Sequence, residues 1–277
     1  MKFTSPSRRS LLAGGGAFAL AGACAQETSA ARPDRKVGIQ LYTVRAQMQE
    51  DMPGTLRRIR EIGYDEVEFA GYFNRSPQQV KQMLADIGLS APSAHVARDL
   101  LRDHALPTLE AAATIGHQWI VFPWLPPEER TLDQFRAWAD VCNRFGEQAR
   151  AYGVRLAYHN HDFEFHPIEG QTPYDVLLER TEPSLVHFEA DLYWVKKGGV
   201  DPLPFLEAHR DRITMCHVKD MDTAGNMADV GAGTIDFAEI FARVPFEHYF
   251  VERDDAPDPI ASATASYAAT RRLLDRA

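Results

Sequence analysis

"VRLAYHNH", residues 154–161, reads as a strand with two unlike faces. Side chains alternate across a strand, so Val154, Leu156 and Tyr158 share one face while Arg155, Ala157, His159 and His161 share the other. The first set belongs against an apolar layer. The second carries two histidines to the strand end, with Asp162 and Glu164 close behind. Such a strand asks for a fold with one greasy side and one polar mouth.

The same kind of run recurs along the chain. Past residue 35, "KVGIQLYT", "DEVEFAG", "LSAPSAHV", "QWIVFP", "LVHFEADLYW", "ITMCHVKD" and "HYFVERD" read as strands. Between them lie segments of helical period: "MPGTLRRIREIG", "SPQQVKQMLADIG", "LPTLEAAATIG", "TLDQFRAWADVCNRFGEQARAYG", "TPYDVLLER", "DPLPFLEAHRDR", "IDFAEIFARV" and "DPIASATASYAATRRLLDRA". Several open at Ser, Thr or Asp before Pro and close at Gly, as helices do. Strict strand–helix alternation implies a parallel sheet of the α/β class. Eight units in about 240 residues is the size of a (β/α)8 TIM barrel. A doubly wound open sheet is the alternative, but it wants a Gly-rich phosphate turn after the first strand, and "GIQLYTVRAQM" (38–48) has none.

In a barrel the alternation becomes a statement about inside and outside. Val67 and Phe69 face the helices, so Glu66 and Glu68 point in. Ser93 and His95 share a face. Val186, Phe188 and Ala190 face out, so Glu189 and Asp191 point in. Cys216 and Val218 face out, against His217 and Lys219; Tyr249 and Val251 face out, against Glu252. The pattern therefore predicts Glu68, His95, His159, His161, Asp191, His217, Lys219 and Glu252 inside, near the C-terminal strand ends where active sites of such barrels lie. A lone inward His is ordinarily a hydrogen-bonded core residue, and a lone Lys or Glu a rim ion pair. This many converging charges either neutralise one another or hold a cation.

Consecutive strands five to eight supply His159, Asp191, His217 and Glu252. A mixed imidazole–carboxylate set suits one divalent Mn, Co, Zn or Fe ion better than Mg or Ca. An octahedral ion would keep two positions for the adjacent oxygens of a hydroxy-ketone and would stabilise the enediolate left when a neighbouring C–H proton departs. A base within hydrogen-bond reach is still required.

The strand ends resemble those of the xylose isomerase-like TIM barrels, the sugar phosphate isomerase/epimerase group, over roughly residues 36–277. The carrying pieces are "VEFAGY", "SAH", "YHNHDFEF", "EADLYWVKKGGVDP", "CHVKD" followed by "VGAGTIDF", and "VERD". The resemblance implies a metal held by Glu, Asp, His and Glu from strands five to eight. Asp191, His217 and Glu252 match, whereas His159 stands where the epimerases have Glu. Those enzymes pair the glutamates of strands five and eight as acid and base on opposite faces of the substrate, and here that pairing is not intact. His159 can still ligate through one nitrogen. His161 then serves as base or substrate contact, alongside Glu252 and His159 as catalytic residues.

Around these, Glu68, His95, Glu164, Trp194, Lys219 and Arg253 are assigned to substrate binding. Each has a plainer reading: Glu164 as a loop anchor, Trp194 as packing, Lys219 and Arg253 as partners of Glu68 and Asp220. Lys196 and Lys197 read as solvated loop charges. "VGAGTIDF" is a helix-entry turn or, less in keeping with its form, a phosphate cradle of backbone N–H groups.

The rest of the chain narrows partners and place. Of 277 residues, 45% are hydrophobic and 25% charged, with a formal net charge of -9. Basic clusters with interleaved aromatics are missing, which argues against nucleic acid. "SRRSLL" before "LLAGGGAFALAGA" resembles a twin-arginine export signal, with "ACA" as its cleavage site, so residues 1–25 are a signal peptide and 26–35 a linker to the barrel at 36–277. Cleavage removes Lys2, Arg8 and Arg9 and no acid, taking the charge from -9 to -12. The protein is then periplasmic, with lipid attachment at Cys24 the lesser alternative and no membrane span in the mature chain. Cys142 and Cys216 fall on different elements and do not suggest a disulfide framework. A homo-oligomer is compatible with the sequence, which does not set the oligomeric state.

The leading reading is a metal-dependent sugar isomerase/epimerase acting on a small carbohydrate by proton abstraction beside a carbonyl. Export turns attention from sugar phosphates to free sugars, glycosides and oxidised sugars. The second reading is a keto-glycoside lyase or hydrolase using the same site for β-elimination. The third is a sugar-binding barrel without chemistry.

Overall fold

The structure, a computed structural model, describes residues 35–277; the stretch up to residue 34, read from the sequence as an export signal and linker, lies outside the described residues. Eight parallel strands close in sequence order: β1 (Gly38–Gln40), β2 (Glu66–Phe69), β3 (Ser90–His95), β4 (Trp119–Phe122), β5 (Arg155–His159), β6 (Val186–Asp191), β7 (Ile213–Val218) and β8 (His248–Val251). This is the (β/α)8 barrel that the alternation implies.

The faces divide as the strand parity requires. Val67, Phe69, Leu156, Tyr158, Val186, Phe188, Cys216, Val218, Tyr249 and Val251 all join the large core between sheet and helices. A separate small cluster, Trp119, Val121, Ala157, Met215 and Phe250, fills the barrel interior. It plugs the barrel below its C-terminal mouth, so the interior is a packed core rather than a channel. Phe250 needs Gly38 beside it, because a Cβ there would run into its ring. Cys142 and Cys216 are both free and buried. No helix among the described residues is long and apolar enough to cross a membrane.

Some boundaries differ from the sequence reading, each for a local reason. "LVHFEADLYW" does not stay extended: β6 stops at Asp191, whose carboxylate accepts the Trp194 N–H at 3.0 Å and caps a short helix, Leu192–Lys197. The first helix begins at Arg45 and runs to Ile62, earlier than "MPGTLRR" suggests. Asp51 leaves helical geometry at φ -144, ψ 83 and its carboxylate accepts the Gly54 N–H at 3.0 Å. That break is what lets Pro53 sit within the segment. After β7 the chain makes a small hairpin, Asp220–Met221 with Met227–Ala228.

"VGAGTIDF" is not a phosphate cradle. Asp220 already takes the N–H groups of Gly231 (2.9 Å), Gly233 (3.0 Å) and Ile235 (3.2 Å). The turn is wrapped around an internal anion, and its donors are spent.

Candidate metal centre and active site

Strands β5 to β8 deliver His159, Asp191, His217 and Glu252 to one point. One donor atom of each lies within 4.8 Å of the others, and all four residues are buried. Neighbouring register does part of this work, since Asp191 stands directly beside His217.

Local hydrogen bonds orient the donors. His159 Nδ1 lies 3.2 Å from the Pro123 carbonyl. Donating its proton there leaves the Nε2 lone pair free. Nε2 is buried without a hydrogen-bond partner and sits 3.5 Å from Asp191 Oδ2, which also lacks a hydrogen bond and has the Lys219 ammonium 3.5 Å away. His217 has Nε2 at 2.7 Å from Glu68 and Nδ1 at 2.9 Å from Glu252. In the protein alone both ring nitrogens donate to carboxylates, and loss of the Nδ1 proton would free that nitrogen as a donor beside Glu252 and, at 3.7 Å, Asp191. Two orphaned buried atoms facing two further donors fit a divalent cation.

Charge supports that fit. Glu68, Glu189, Asp191 and Glu252 are all buried here. Lys219, itself buried, bonds Glu252 at 2.9 Å and Asp254 at 2.7 Å and lies 3.5 Å from Asp191. Burial alone would lower its pKa, but those carboxylates raise it and keep it charged. Burial would likewise lower His95 and His217; Glu68 and Glu189 instead raise His95 to about 9, and Glu189 and Glu252 raise His217 well above the ordinary range. Glu252 is the reverse: burial would raise it, and Lys219 and His217 pull it below the ordinary carboxylate range. In the protein alone, therefore, protons on histidine balance the acid cluster where a metal would otherwise do so.

Above the set lies a cavity of about 800 Å³ lined by His95, His159, His161, Lys219 and Glu252, among others. His161 lies just past the end of β5 with its Nδ1 buried and unpartnered. Its ring rests 5.2 Å from that of Trp194. Trp194 packs behind His161 and 5.4 Å from the Lys219 ammonium, and is not among the lining residues.

Three further residues assigned to substrate binding also stand away from the cavity lining. Glu68 is fully buried one layer below the mouth, where it accepts from Gln40, Ser93 and His217. Glu164 is fully buried behind β5, accepting from the Tyr158 hydroxyl at 2.7 Å and the His161 N–H at 2.8 Å. It anchors the loop that carries His161, because a 3-10 turn at Phe163–Phe165 swings it to the outer side. Arg253 points away from Glu252 and pairs with Asp229 at 2.8 Å and Asp255 at 3.1 Å. Of the loop lysines, Lys196 bonds Thr234 and Lys197 the Gly225 carbonyl.

Other members of the site were given no role in the sequence reading. Glu189, 2.9 Å from His95, shares the inward parity of Asp191, so its signal was present. With Glu68, His95 and His217 it forms a second, deeper donor set within 4.8 Å. Asp254 shares the parity of Glu252. Asn160, which brackets the Asp191 backbone by accepting its N–H at 3.2 Å and donating to its carbonyl at 3.4 Å, had no signal.

The sequence pattern of the xylose isomerase-like TIM barrels matches residues 56–263. The chain belongs to that family. Among relatives of this barrel family, an inosose dehydratase of Geobacillus kaustophilus is 26% identical over 283 residues, covering 83% of this chain and 91% of the relative. A sugar phosphate isomerase/epimerase from Parabacteroides distasonis is 25% identical, with a TM-score of 0.74 over 87% of this chain and 98% of that one. The IolI protein, whose crystal structure has a bound zinc atom, shares the barrel at 16% identity, TM-score 0.67, over 87% and 98% of the chains.

Proposed function

We propose that this protein is a metal-dependent enzyme that abstracts the proton beside the carbonyl of a sugar-like hydroxy-ketone. The observation that carries the reading is the meeting of two unpartnered buried atoms, His159 Nε2 and Asp191 Oδ2, with His217 and Glu252 beneath a cavity that His161 also lines. His159, Asp191, His217 and Glu252 would hold the ion, with Mn, Co, Zn or Fe suited to the donor set. Bound there, it would supply Lewis-acid stabilisation of the enediolate.

His161 is the base. Its side chain lines the cavity, and Glu164 fixes its backbone from behind. Lys219 holds Glu252 and Asp254 in place, while His95 offers a hydrogen bond to a substrate oxygen. The outcome after proton loss is set by the other groups present. Isomerisation or epimerisation requires a proton returned at a different atom or face, and Glu252, which also lines the cavity, is held ionised by Lys219 and His217 and is poorly suited to return it. Elimination requires only a leaving group on the β-carbon. His159 in place of an epimerase-type glutamate favours this lyase outcome, as does the inosose dehydratase relative. Export by the twin-arginine route would present the enzyme with periplasmic free sugars or oxidised glycosides. Cell fractionation finding the protein only in the cytoplasm would remove that part.

The test is incubation of metal-loaded protein with inosose, ketoses and 3-keto-glycosides in D2O. Deuterium entering an intact carbon skeleton marks isomerase or epimerase; loss of water or an aglycone marks the lyase. His161→Gln should lower either rate by roughly 10²–10⁴-fold with metal content unchanged. Full exchange in that variant would remove His161 as base, and no exchange with any of these ketones would leave a binding role.

A further inference from the structure

The cavity over the metal set has two unlike halves. Strands β5 to β8 contribute its polar floor. The segments after β1 to β4 contribute a wall of Tyr42, Tyr72, Val96, Leu100, Pro123 and Trp124. Four large hydrophobic side chains among the described residues are prominently exposed, and three of them, Tyr42 (45%), Leu100 (38%) and Trp124 (41%), stand on this wall. They come from three separate segments, so no single exposed helix face explains their grouping. Each ring lies against an arginine, Tyr42 against Arg45 at 4.3 Å, itself a lining residue, and Trp124 against Arg130 at 5.5 Å. Bracing presets them for contact and lowers the ordering cost of binding.

We propose that this wall is a second subsite, for a flat apolar or aromatic group carried by the same molecule whose polyol end meets the floor. The substrate class is then a glycoside with an apolar aglycone rather than a free monosaccharide. The inference rests on the sugar-ketone reading above for the floor, and on the wall alone for the aglycone. A polyol on its own would leave the wall wet. An apolar group on the glycosidic oxygen removes both surfaces from water, and aromatic rings add favourable stacking geometry.

The test is calorimetric titration of Mn²⁺-loaded protein with methyl β-glucopyranoside, phenyl β-glucopyranoside and phenol. Neither glucoside carries the ketone, so binding is read without turnover. The phenyl glucoside should bind about tenfold or more tightly than the methyl one. Trp124→Ala and Leu100→Ala, both at exposed positions, should each bring that ratio toward one. Equal affinity of the two glucosides for the wild type overturns the subsite and leaves the floor reading standing. Phenol binding that is lost in Trp124→Ala, with neither glucoside bound, keeps the subsite and removes the sugar reading. No binding by any of the three overturns the subsite. So does a Trp124→Ala variant that changes only the oligomeric state, because a second copy would then be what covers the wall.

Discussion

Replacing Glu164 by Gln separates two roles that a buried acid near a catalytic loop can have. Burial raises the Glu164 carboxyl from 4.5 to about 8, despite bonds from Tyr158 and the His161 N–H and the charge of Arg130. Between those values the folded protein keeps a proton that the unfolded chain releases. The folded state binds more protons, so stability falls as pH rises through this window and levels off above it. At about 1.4 kcal/mol per pH unit the ceiling is about 5 kcal/mol. Local relaxation and water entry should reduce the realised effect to about 2–3 kcal/mol. Glutamine mimics the protonated acid: its oxygen accepts from the His161 N–H and its amide donates to the Tyr158 hydroxyl. Urea unfolding of both proteins at pH 5, 7 and 9 reads the difference, in which all other titrating groups cancel. The two should agree within about 0.5 kcal/mol at pH 5, and Glu164→Gln should be the more stable by about 2–3 kcal/mol at pH 9. Stability curves that stay parallel from pH 5 to 9 would refute the burial argument. A raised KM with parallel curves would instead put Glu164 in contact with sugar hydroxyls.

Asp191→Asn keeps the cap on the Trp194 N–H but exchanges the unpartnered Oδ2 for an amide; metal analysis should find about one ion per wild-type chain and almost none in the variant. The stabilisation of the wild type by added metal, about 2.7 kcal/mol at a hundredfold excess over Kd, should vanish with it, and a variant that still carries a stoichiometric ion removes Asp191 from the ligand set. Gly38→Ala should cost about 1–3 kcal/mol by chemical denaturation, because its Cβ meets the Phe250 ring inside the barrel. Combining it with Phe250→Leu should recover part of that loss, and additive losses would show that the two do not touch.

Period-two alternation settled a good deal before any tertiary contact was known. It assigned Val67, Leu156, Phe188, Cys216 and Tyr249 to the helix side and His159, Asp191, His217 and Glu252 to the interior, because a strand leaves a side chain only two directions. Strand–helix alternation and unit length then left the closed barrel as the economical fold. The same logic marked Glu189 as inward without giving it a role, and it extends to Asp254, two residues past Glu252, which the sequence reading passed over.

Depth, and everything beyond a strand end, belonged to the tertiary structure. Glu68 and His95 have the same inward sense, yet Glu68 lies below the mouth, where Gln40, Ser93 and His217 surround it. Parity says which way a side chain points and not how far up the barrel its strand is staggered. Glu164 was swung behind β5, and Asp220 enclosed by its own loop, by backbone geometry that no alternation encodes: a 3-10 turn in one case, a glycine turn folded around a carboxylate in the other. Which nitrogen of His159 is free depends on the Pro123 carbonyl from the neighbouring strand's end. The apolar wall is assembled from Tyr42, Leu100 and Trp124, which are 24 or more residues apart in sequence. Closure of the barrel is what puts them opposite the histidines of "YHNH", and so decides what kind of molecule those histidines can meet.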